Sequence, residues 1–343
     1  MSCKIFITTT GSAYYFDIGP GPVFIMQRVL MGEDIKEFKT YNEQVDILVR
    51  RGMDIGDRDE AVFLLQQVSY YRLSGYCYPF REFKNSSRAD TFFPGTRLRD
   101  VVDLYRFDSR LRTATFTALT PIELAIRTHL GHELGRLDPL IHLDPYKLGA
   151  TARSTNRSTR STNRSTKYEY WRRRYEHELK SSREDFVKHH KQKYGGKLPV
   201  WAATEIMDWG SLTYLYELSP TSVQNTISSQ CDLTAPQLRS WLKALNIVRN
   251  ICAHHGRLFN RVHTISPKLP AQGTHTDLDC INTDWKRTFG QLTLIQFLLD
   301  RFTVGNKKLL PTVVQSFPEV QIVPISHMGA PDNWQTASKL WSI

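Results

Sequence analysis

The longest helical pattern in the sequence covers residues 97–136, and it constrains the fold more than any other segment. Its apolar residues recur every three or four positions, which places them on one face of a helix. The pattern predicts one long helix with a kink near Pro121, because a proline inside a helix removes a backbone hydrogen bond and clashes with the preceding turn. Further segments share this period, and strand signals are few. The sequence therefore predicts an all-α protein.

Shorter helices are predicted on both sides of this segment. Thr40 is a suitable N-cap for a helix over 41–48, and Glu43 stands where it completes a capping box. Arg51 and Gly52 end that helix. The other predicted helices cover residues 59–68, 168–192, 198–217 with Gly210 inside, 235–255 and 285–302.

The charge balance favours a polyanionic partner. The formal net charge is +11, which suits a protein that binds nucleic acid, although a merely soluble basic protein could share it. The five cysteines are odd in number and widely spaced, which argues against a disulfide framework or a zinc site and favours a reducing cytoplasm. No stretch of about 18 apolar residues occurs, and the N-terminus is not a convincing signal peptide. We therefore expect a cytoplasmic protein without a membrane partner.

The chain divides into several predicted parts. We expect a peripheral or disordered segment at 1–37, additional N-terminal helices at 38–95, a helical domain at 96–302, and a C-terminal tail at 303–343 that packs on that domain. A flexible loop is predicted at 149–167, because Arg-Ser-Thr-Asn-Arg-Ser-Thr occurs at 153–159 and again at 160–166 without an apolar residue. This basic loop could touch phosphates of a nucleic acid, or it could be an insertion without function.

A dense polar run follows the predicted helix 235–255. Residues 249–261 contain three arginines, two adjacent histidines and two asparagines. Histidine can move a proton near neutral pH, and arginine can clamp a phosphate through its planar fork. Both groups are what RNA cleavage without a metal or cofactor needs. The run is therefore the candidate catalytic site.

Helical spacing separates the members of this run. Arg249 and His254 are five residues apart, so on an ideal helix they differ by about 140° and about 7.5 Å in height. Asn250 and His254 share a face at i and i+4, and Arg257 follows His254 at i+3. Asn250 could therefore orient the His254 imidazole, while Arg249 must reach round the helix. The alternative is a polar helix end at which the helix dipole favours cations.

Two upstream segments could support the site. Glu123 and Arg127 share a helix face at i and i+4 and can pair, and His132 follows them. Beside His254 this pair would add a fixed cation, but it could equally be an ordinary intrahelical salt bridge. The aromatic segment 69–81 interleaves tyrosines with Arg72 and Arg81, which suits either RNA binding or a packed junction between helices.

Several ordered segments resemble the Abi-like abortive-infection proteins of the AbiD and AbiF type, in the HEPN superfamily. The resemblance covers roughly residues 38–343. The segments that carry it are YRLSGYCYPFR at 71–81, FPGTRLRDVVDLYRFDSRLR at 93–112, PIELAIRTHLGH at 121–132, LPVWAATEIMDWGSLTYLYE at 198–217, SWLKALNIVRNICAHHGRLFNR at 240–261 and MGAPDNWQTASKLW at 328–341.

The resemblance implies an all-α HEPN-type helical bundle with additional N-terminal helices, and a metal-independent endoribonuclease of bacterial anti-phage defence. Arg249 and His254 match the R-x4-6-H motif of such nucleases, with Asn250 as an orienting residue. Glu123 and Arg127 match an accompanying E-x3-K/R motif. The ribose 2′-OH would attack the phosphorus and leave a 2′,3′-cyclic phosphate.

The resemblance also implies partners and further roles. Because HEPN sites are usually composite, one strong motif per chain implies a homodimer, unless Arg127 and His132 complete a site within one chain. The remaining candidates are His255 as a supporting group and the RNA-binding residues Arg257, Arg261, Arg72 and Arg81. The alternative function is a non-catalytic regulatory protein that binds a small non-coding RNA, and a helical adaptor is a third possibility.

Overall fold

The computed structural model describes residues 36–84, 86–155 and 165–342, together with the strands Thr8–Thr9 and Ser12–Ala13. Helices dominate this part of the chain, and its strands form two short antiparallel pairs. The prediction of an all-α protein is therefore confirmed. The prediction for residues 1–37 falls almost entirely outside the described residues, as do positions 156–164 of the repeat.

The elements follow one another in this order. The helices are α1 Tyr41–Arg50, α2 Arg58–Gln67, α3 Tyr70–Cys77, α4 Leu98–Leu137, α5 Lys167–Ser181, α6 Asp185–Lys193, α7 Val200–Ala203, α8 Trp209–Leu218, α9 Thr221–Ser229, α10 Ala235–Ala253, α11 Thr276–Asp279, α12 Thr288–Phe302, α13 Leu309–Gln315 and α14 Trp334–Ala337. The strands are β1 Thr8–Thr9, β2 Ser12–Ala13, β3 Arg81–Lys84 and β4 Ser87–Phe92. β1 pairs with β2, and β3 with β4.

Helix α4 is the central element of the fold. Its 40 residues span about 60 Å, and it continues through Pro121 without a break. It packs against helices from both halves of the chain, namely α3, α7, α8, α9, α10, α12 and α13. Buried side chains occur along its whole length, from Leu98 to Leu134. α4 therefore fixes where the other helices can lie, including the helix that carries the polar run.

Several predicted boundaries are wrong because local caps interrupt the apolar period. The segment 168–192 forms two helices, α5 and α6, separated at 182–184. In 198–217 the helix breaks before α8, where the Asp208 side chain accepts the Ser211 N–H at 2.7 Å and starts a new helix. The last predicted helix starts at Thr288, three residues later than expected.

The loop predicted at 149–167 is ordered at both described ends. Ala150–Arg153 forms a 3₁₀ turn, and Thr155 pairs with Thr166 in an isolated antiparallel bridge. Thr166 then caps α5 through a capping box with Glu169. The prediction of a flexible loop for the residues between these short elements stays a prediction.

Sequence reasoning missed two elements in the aromatic segment. Residues 70–77 form α3, whose first turn is capped by the Ser69 hydroxyl accepting the Arg72 N–H at 3.3 Å. Strand β3 follows and turns back into β4 with Ser86 at a positive φ of 61°. In the described part of the chain, no helix is both long and apolar enough to cross a membrane.

His142 gives the fold a predictable acid sensitivity. It is fully buried after α4, and its ring lies edge-on to that of Tyr175 at 5.3 Å. Among the described residues, neither of its ring nitrogens has a hydrogen-bond partner. Burial lowers the pKa of His142 to about 4 from its usual 6.5. As the pH falls from 6.5 to about 4, this histidine binds a proton in the unfolded chain but stays neutral in the folded chain. The free energy of unfolding therefore decreases over this pH range. By linkage the loss at pH 5 is about 2 kcal/mol.

A His142→Phe substitution should keep the aromatic packing and remove this loss. Urea denaturation at about pH 7.5 and about pH 5 measures the free energy of unfolding, and the variant should lose about 2 kcal/mol less than wild type between them. His132→Phe, at an exposed position, is the control. An equal loss in wild type and His142→Phe would contradict the prediction.

Candidate functional site

The polar run begins near the C-terminal end of α10, and the helix ends in a tight left-handed turn. The His255 N–H donates to the Cys252 carbonyl at 3.2 Å, and the Gly256 N–H donates to the Ile251 carbonyl at 2.8 Å. This pair of hydrogen bonds is the Schellman motif, in which glycine usually occupies the left-handed position. Here His255 takes that position, with φ 55°. A non-glycine residue held there is strained, which is common at functional sites.

The helix therefore stops earlier than the sequence predicted. α10 ends at Ala253, and His254 is its C-cap with φ −97° and ψ 18°. Arg257 lies beyond the turn, so the predicted stripe of Asn250, His254 and Arg257 is wrong. His254 and His255 are both exposed at the end of the helix, where a positive charge is favoured.

Asn250 and His254 are joined through the backbone. The His254 N–H donates to the Asn250 carbonyl at 3.0 Å. Among the described residues, the two side chains form no hydrogen bond with each other, and both residues are exposed. The proposed role of Asn250 in orienting the imidazole stays a prediction.

Arg249 turns toward α4. Its guanidinium carbon lies 5.3 Å from the centroid of the Phe116 ring, a cation–π contact. Within the described residues, its buried Nε has no hydrogen-bond partner and its guanidinium forms no ion pair with a carboxylate. Near its C-terminal end α10 thus carries an arginine with an unpaired Nε, five residues before the exposed His254.

Asp108 on α4 anchors the chain that leaves this turn. Its buried carboxylate accepts the Phe259 N–H at 2.7 Å and the Leu258 N–H at 3.2 Å. It also accepts the Tyr76 hydroxyl at 2.6 Å and the Arg112 Nη1 at 2.5 Å. One carboxylate therefore joins α3, α4 and the segment after α10.

The electrostatics of this anchor follow from its burial. Burial raises the pKa of the Asp108 carboxyl above its usual value, and Arg112 and the hydrogen bonds from Tyr76, Leu258 and Phe259 offset only part of this rise. The nearby Cys252 thiol has its pKa raised to about 12 by burial, so it stays protonated and is no nucleophile. Proton transfer at the end of α10 would rest on the histidines.

Two of the predicted RNA-binding arginines fasten α3 to this turn. Arg72 Nη1 donates to the His255 carbonyl at 2.8 Å. Arg257 Nη1 donates to the Gly75 carbonyl, and burial lowers the pKa of Arg257. Arg261 is exposed, and its Nε donates to the Arg257 carbonyl at 3.0 Å. Arg81 lies on β3 instead and forms an ion pair with Asp90 at 3.3 Å.

Helices α4 and α10 run antiparallel. Asp108 holds Leu258, Phe116 lies against Arg249, and Glu123 borders the same small cavity as Leu242. Residues later in α4 therefore lie beside earlier residues of α10, farther from the motif at its C-terminal end. Arg127 lies about 16 Å beyond Phe116 on this helix.

Glu123 and Arg127 do pair, but as part of a buried junction. Arg127 Nη2 donates to Glu123 Oε1 at 2.9 Å and to the Met207 carbonyl at 3.0 Å, and its Nη1 donates to the Thr204 carbonyl. His132 is exposed and contacts the neighbouring Glu133 at 3.1 Å. The structure thus does not bring Glu123, Arg127 and His132 to the end of α10 in one chain.

The acid–arginine pair that reaches the motif is Asp108 with Arg112. Sequence reasoning missed it, although FDSRLR in the long helical pattern places both at i and i+4 on a buried face. Within the described residues, no group of three or more His, Cys, Asp or Glu side chains could hold a metal ion. Independence of a metal stays a prediction.

A family model described as Abi-like protein matches residues 63–260. This span is more than half of the chain and includes Arg249, His254 and Asp108, so the chain belongs to the Abi-like protein family. The resemblance to abortive-infection proteins is therefore confirmed, and the family suggests a role in abortive-infection defence. The segment at 328–341 lies outside the matched span. Searches of curated proteins and of solved structures gave no match.

Proposed function

We propose that the protein is a metal-independent endoribonuclease of the HEPN type that acts in bacterial abortive-infection defence. The observation that carries the proposal is the C-terminal end of α10, where the exposed His254 follows, five residues later, an Arg249 that has no acidic partner among the described residues. Histidine supplies proton transfer near neutral pH, and arginine stabilises the charge that develops on phosphorus. Family membership agrees with a defence role.

The proposed reaction needs no external nucleophile. His254 removes the proton from a ribose 2′-OH, whose oxygen attacks the adjacent phosphorus. Arg249 stabilises the phosphorane, the bond to the 5′-oxygen breaks, and a proton is delivered to that leaving oxygen. The products are a 2′,3′-cyclic phosphate and a 5′-OH.

A homodimer would supply the second proton-transfer group. The reaction needs one base and one acid, and Arg127 with His132 lies far along α4 from His254 in the same chain. We therefore propose that two copies of the α10 turn face each other, each giving Arg249 and His254. The exposure of His254 and His255 agrees with this arrangement.

The chemistry can be tested on the purified chain. We expect cleavage of single-stranded RNA with and without EDTA, cyclic phosphate ends by mass spectrometry, and no cleavage of the matching DNA strand. Loss of activity in EDTA with rescue by a divalent ion would overturn the metal-free mechanism, and equal cleavage of DNA would overturn attack by the 2′-OH. RNA binding without cleavage would favour the non-catalytic regulatory alternative.

A further inference from the structure

One face of α3 presents two exposed tyrosines beside the α10 turn. Tyr71 is 83 % exposed and Tyr78 is 49 % exposed. Tyr78 keeps helical dihedrals, with φ −57° and ψ −41°. Seven residues apart on a helix, the two lie on one face at a spacing of about 10.5 Å, with Gly75 between them. The opposite face of α3, with Leu73 and Tyr76, is buried in the core.

Arginines without acidic partners border this face. Arg72 reaches the His255 carbonyl, Arg257 reaches the Gly75 carbonyl, and the Arg88 guanidinium carbon lies 5.8 Å from the Tyr78 ring centroid. In the described part of the chain none of these three arginines forms an ion pair with a carboxylate. Two exposed tyrosine rings beside these arginines fit a ligand that combines planar rings with phosphates.

We propose that the face of α3 formed by Tyr71, Gly75 and Tyr78 binds unpaired bases of single-stranded RNA, and so delivers a single-stranded substrate to the α10 turn. The proposal rests on the proposed function and names its substrate class. The bond from Arg72 to His255 places this face directly beside the turn. Bases stacked inside a duplex cannot offer their faces to tyrosine, so double-stranded RNA is not the ligand of this surface.

The test compares binding of a short 2′-O-methyl oligouridylate, which cannot be cleaved by 2′-OH attack, with that of a duplex of the same chemistry. In fluorescence anisotropy the Tyr71→Leu/Tyr78→Leu protein should bind the single strand at least about 10-fold more weakly, because each stacked base contributes a factor of that order. Duplex binding should not change. Tyr71→Phe/Tyr78→Phe, which keeps both rings, should bind like wild type.

The matched control is Tyr146→Leu. Tyr146 is also 80 % exposed and has an arginine, Arg153, 5.6 Å from its ring centroid, but it lies beyond the far end of α4. The proposal is overturned if the Tyr71→Leu/Tyr78→Leu protein binds the single strand as tightly as wild type. It is also overturned if Tyr146→Leu weakens single-strand binding equally, or if duplex binding weakens equally. If wild type cleaves RNA and the Tyr71→Leu/Tyr78→Leu protein binds and cleaves RNA as wild type does, this proposal alone fails. If binding depends on the tyrosines but wild type cleaves no RNA, the proposed function alone fails.

Discussion

Replacing His254 with alanine should lower the rate of RNA cleavage by about 10²–10⁴-fold, the usual contribution of a general acid or base. The loss should fall on activity and not on folding, because the His254 side chain is exposed and the turn is closed by backbone hydrogen bonds. Cleavage of a labelled single-stranded RNA measures the rate, and thermal unfolding should give a midpoint within a few degrees of wild type.

His132→Ala is the matched control for this prediction. His132 is an exposed histidine too, but it lies far along α4 from the α10 turn, and its removal should leave cleavage unchanged. If His132→Ala costs as much activity as His254→Ala, the site is not confined to the end of α10, and the single-chain arrangement with Arg127 regains support. His255→Asn should keep the turn, because asparagine tolerates the left-handed conformation.

Local signals in the sequence were sufficient for the regular helices. The capping box of Thr40 and Glu43 placed the start of α1 correctly, and the apolar period of 97–136 located α4 to within one residue at each end. Such signals act within one or two turns, so neighbouring residues alone determine them.

The end of α10 depends on contacts that a local pattern does not contain. Glycine usually occupies the left-handed position of a Schellman turn. The two histidines after Ala253 therefore did not indicate a helix end before Gly256. In the structure the His255 carbonyl is held by Arg72, which lies 183 residues earlier. This tertiary contact adds to the local hydrogen bonds of the turn, and the sequence pattern around Ala253 does not contain it.

The packing register of α4 against α10 determines which acid–arginine pair lies near the end of α10. Glu123 with Arg127 and Asp108 with Arg112 have the same spacing on the same helix. The sequence cannot distinguish them, because the choice depends on the antiparallel packing of two helices that are separated by nearly a hundred residues of chain. Glu123 and Arg127 match a family motif, and the sequence therefore favoured this pair. In the structure Arg127 instead donates to the Thr204 and Met207 carbonyls.

Replacing Asp108 with asparagine should lower the free energy of unfolding by about 3–5 kcal/mol, the usual cost of breaking a buried ion pair. The Asp108 carboxylate is fully buried, and Arg112 beside it is only 5 % exposed. An amide leaves the guanidinium charge uncompensated and presents an NH₂ group to donors that need an acceptor. Urea denaturation measures the loss. RNA cleavage should fall as well, because Leu258 and Phe259 would no longer be held to α4.

Two variants separate the buried charge from other effects of the Asp108 substitution. Asp185→Asn removes an exposed carboxylate that also pairs with a side chain at short range, Lys188 at 2.9 Å, and should leave the free energy of unfolding nearly unchanged, because water screens the pair. Arg112→Met in the Asp108→Asn protein removes the unpaired charge and should recover part of the loss. If Asp108→Asn costs no more than Asp185→Asn, the carboxylate does not anchor the motif to α4, and the position of the site must depend on the apolar packing of α4 against α10.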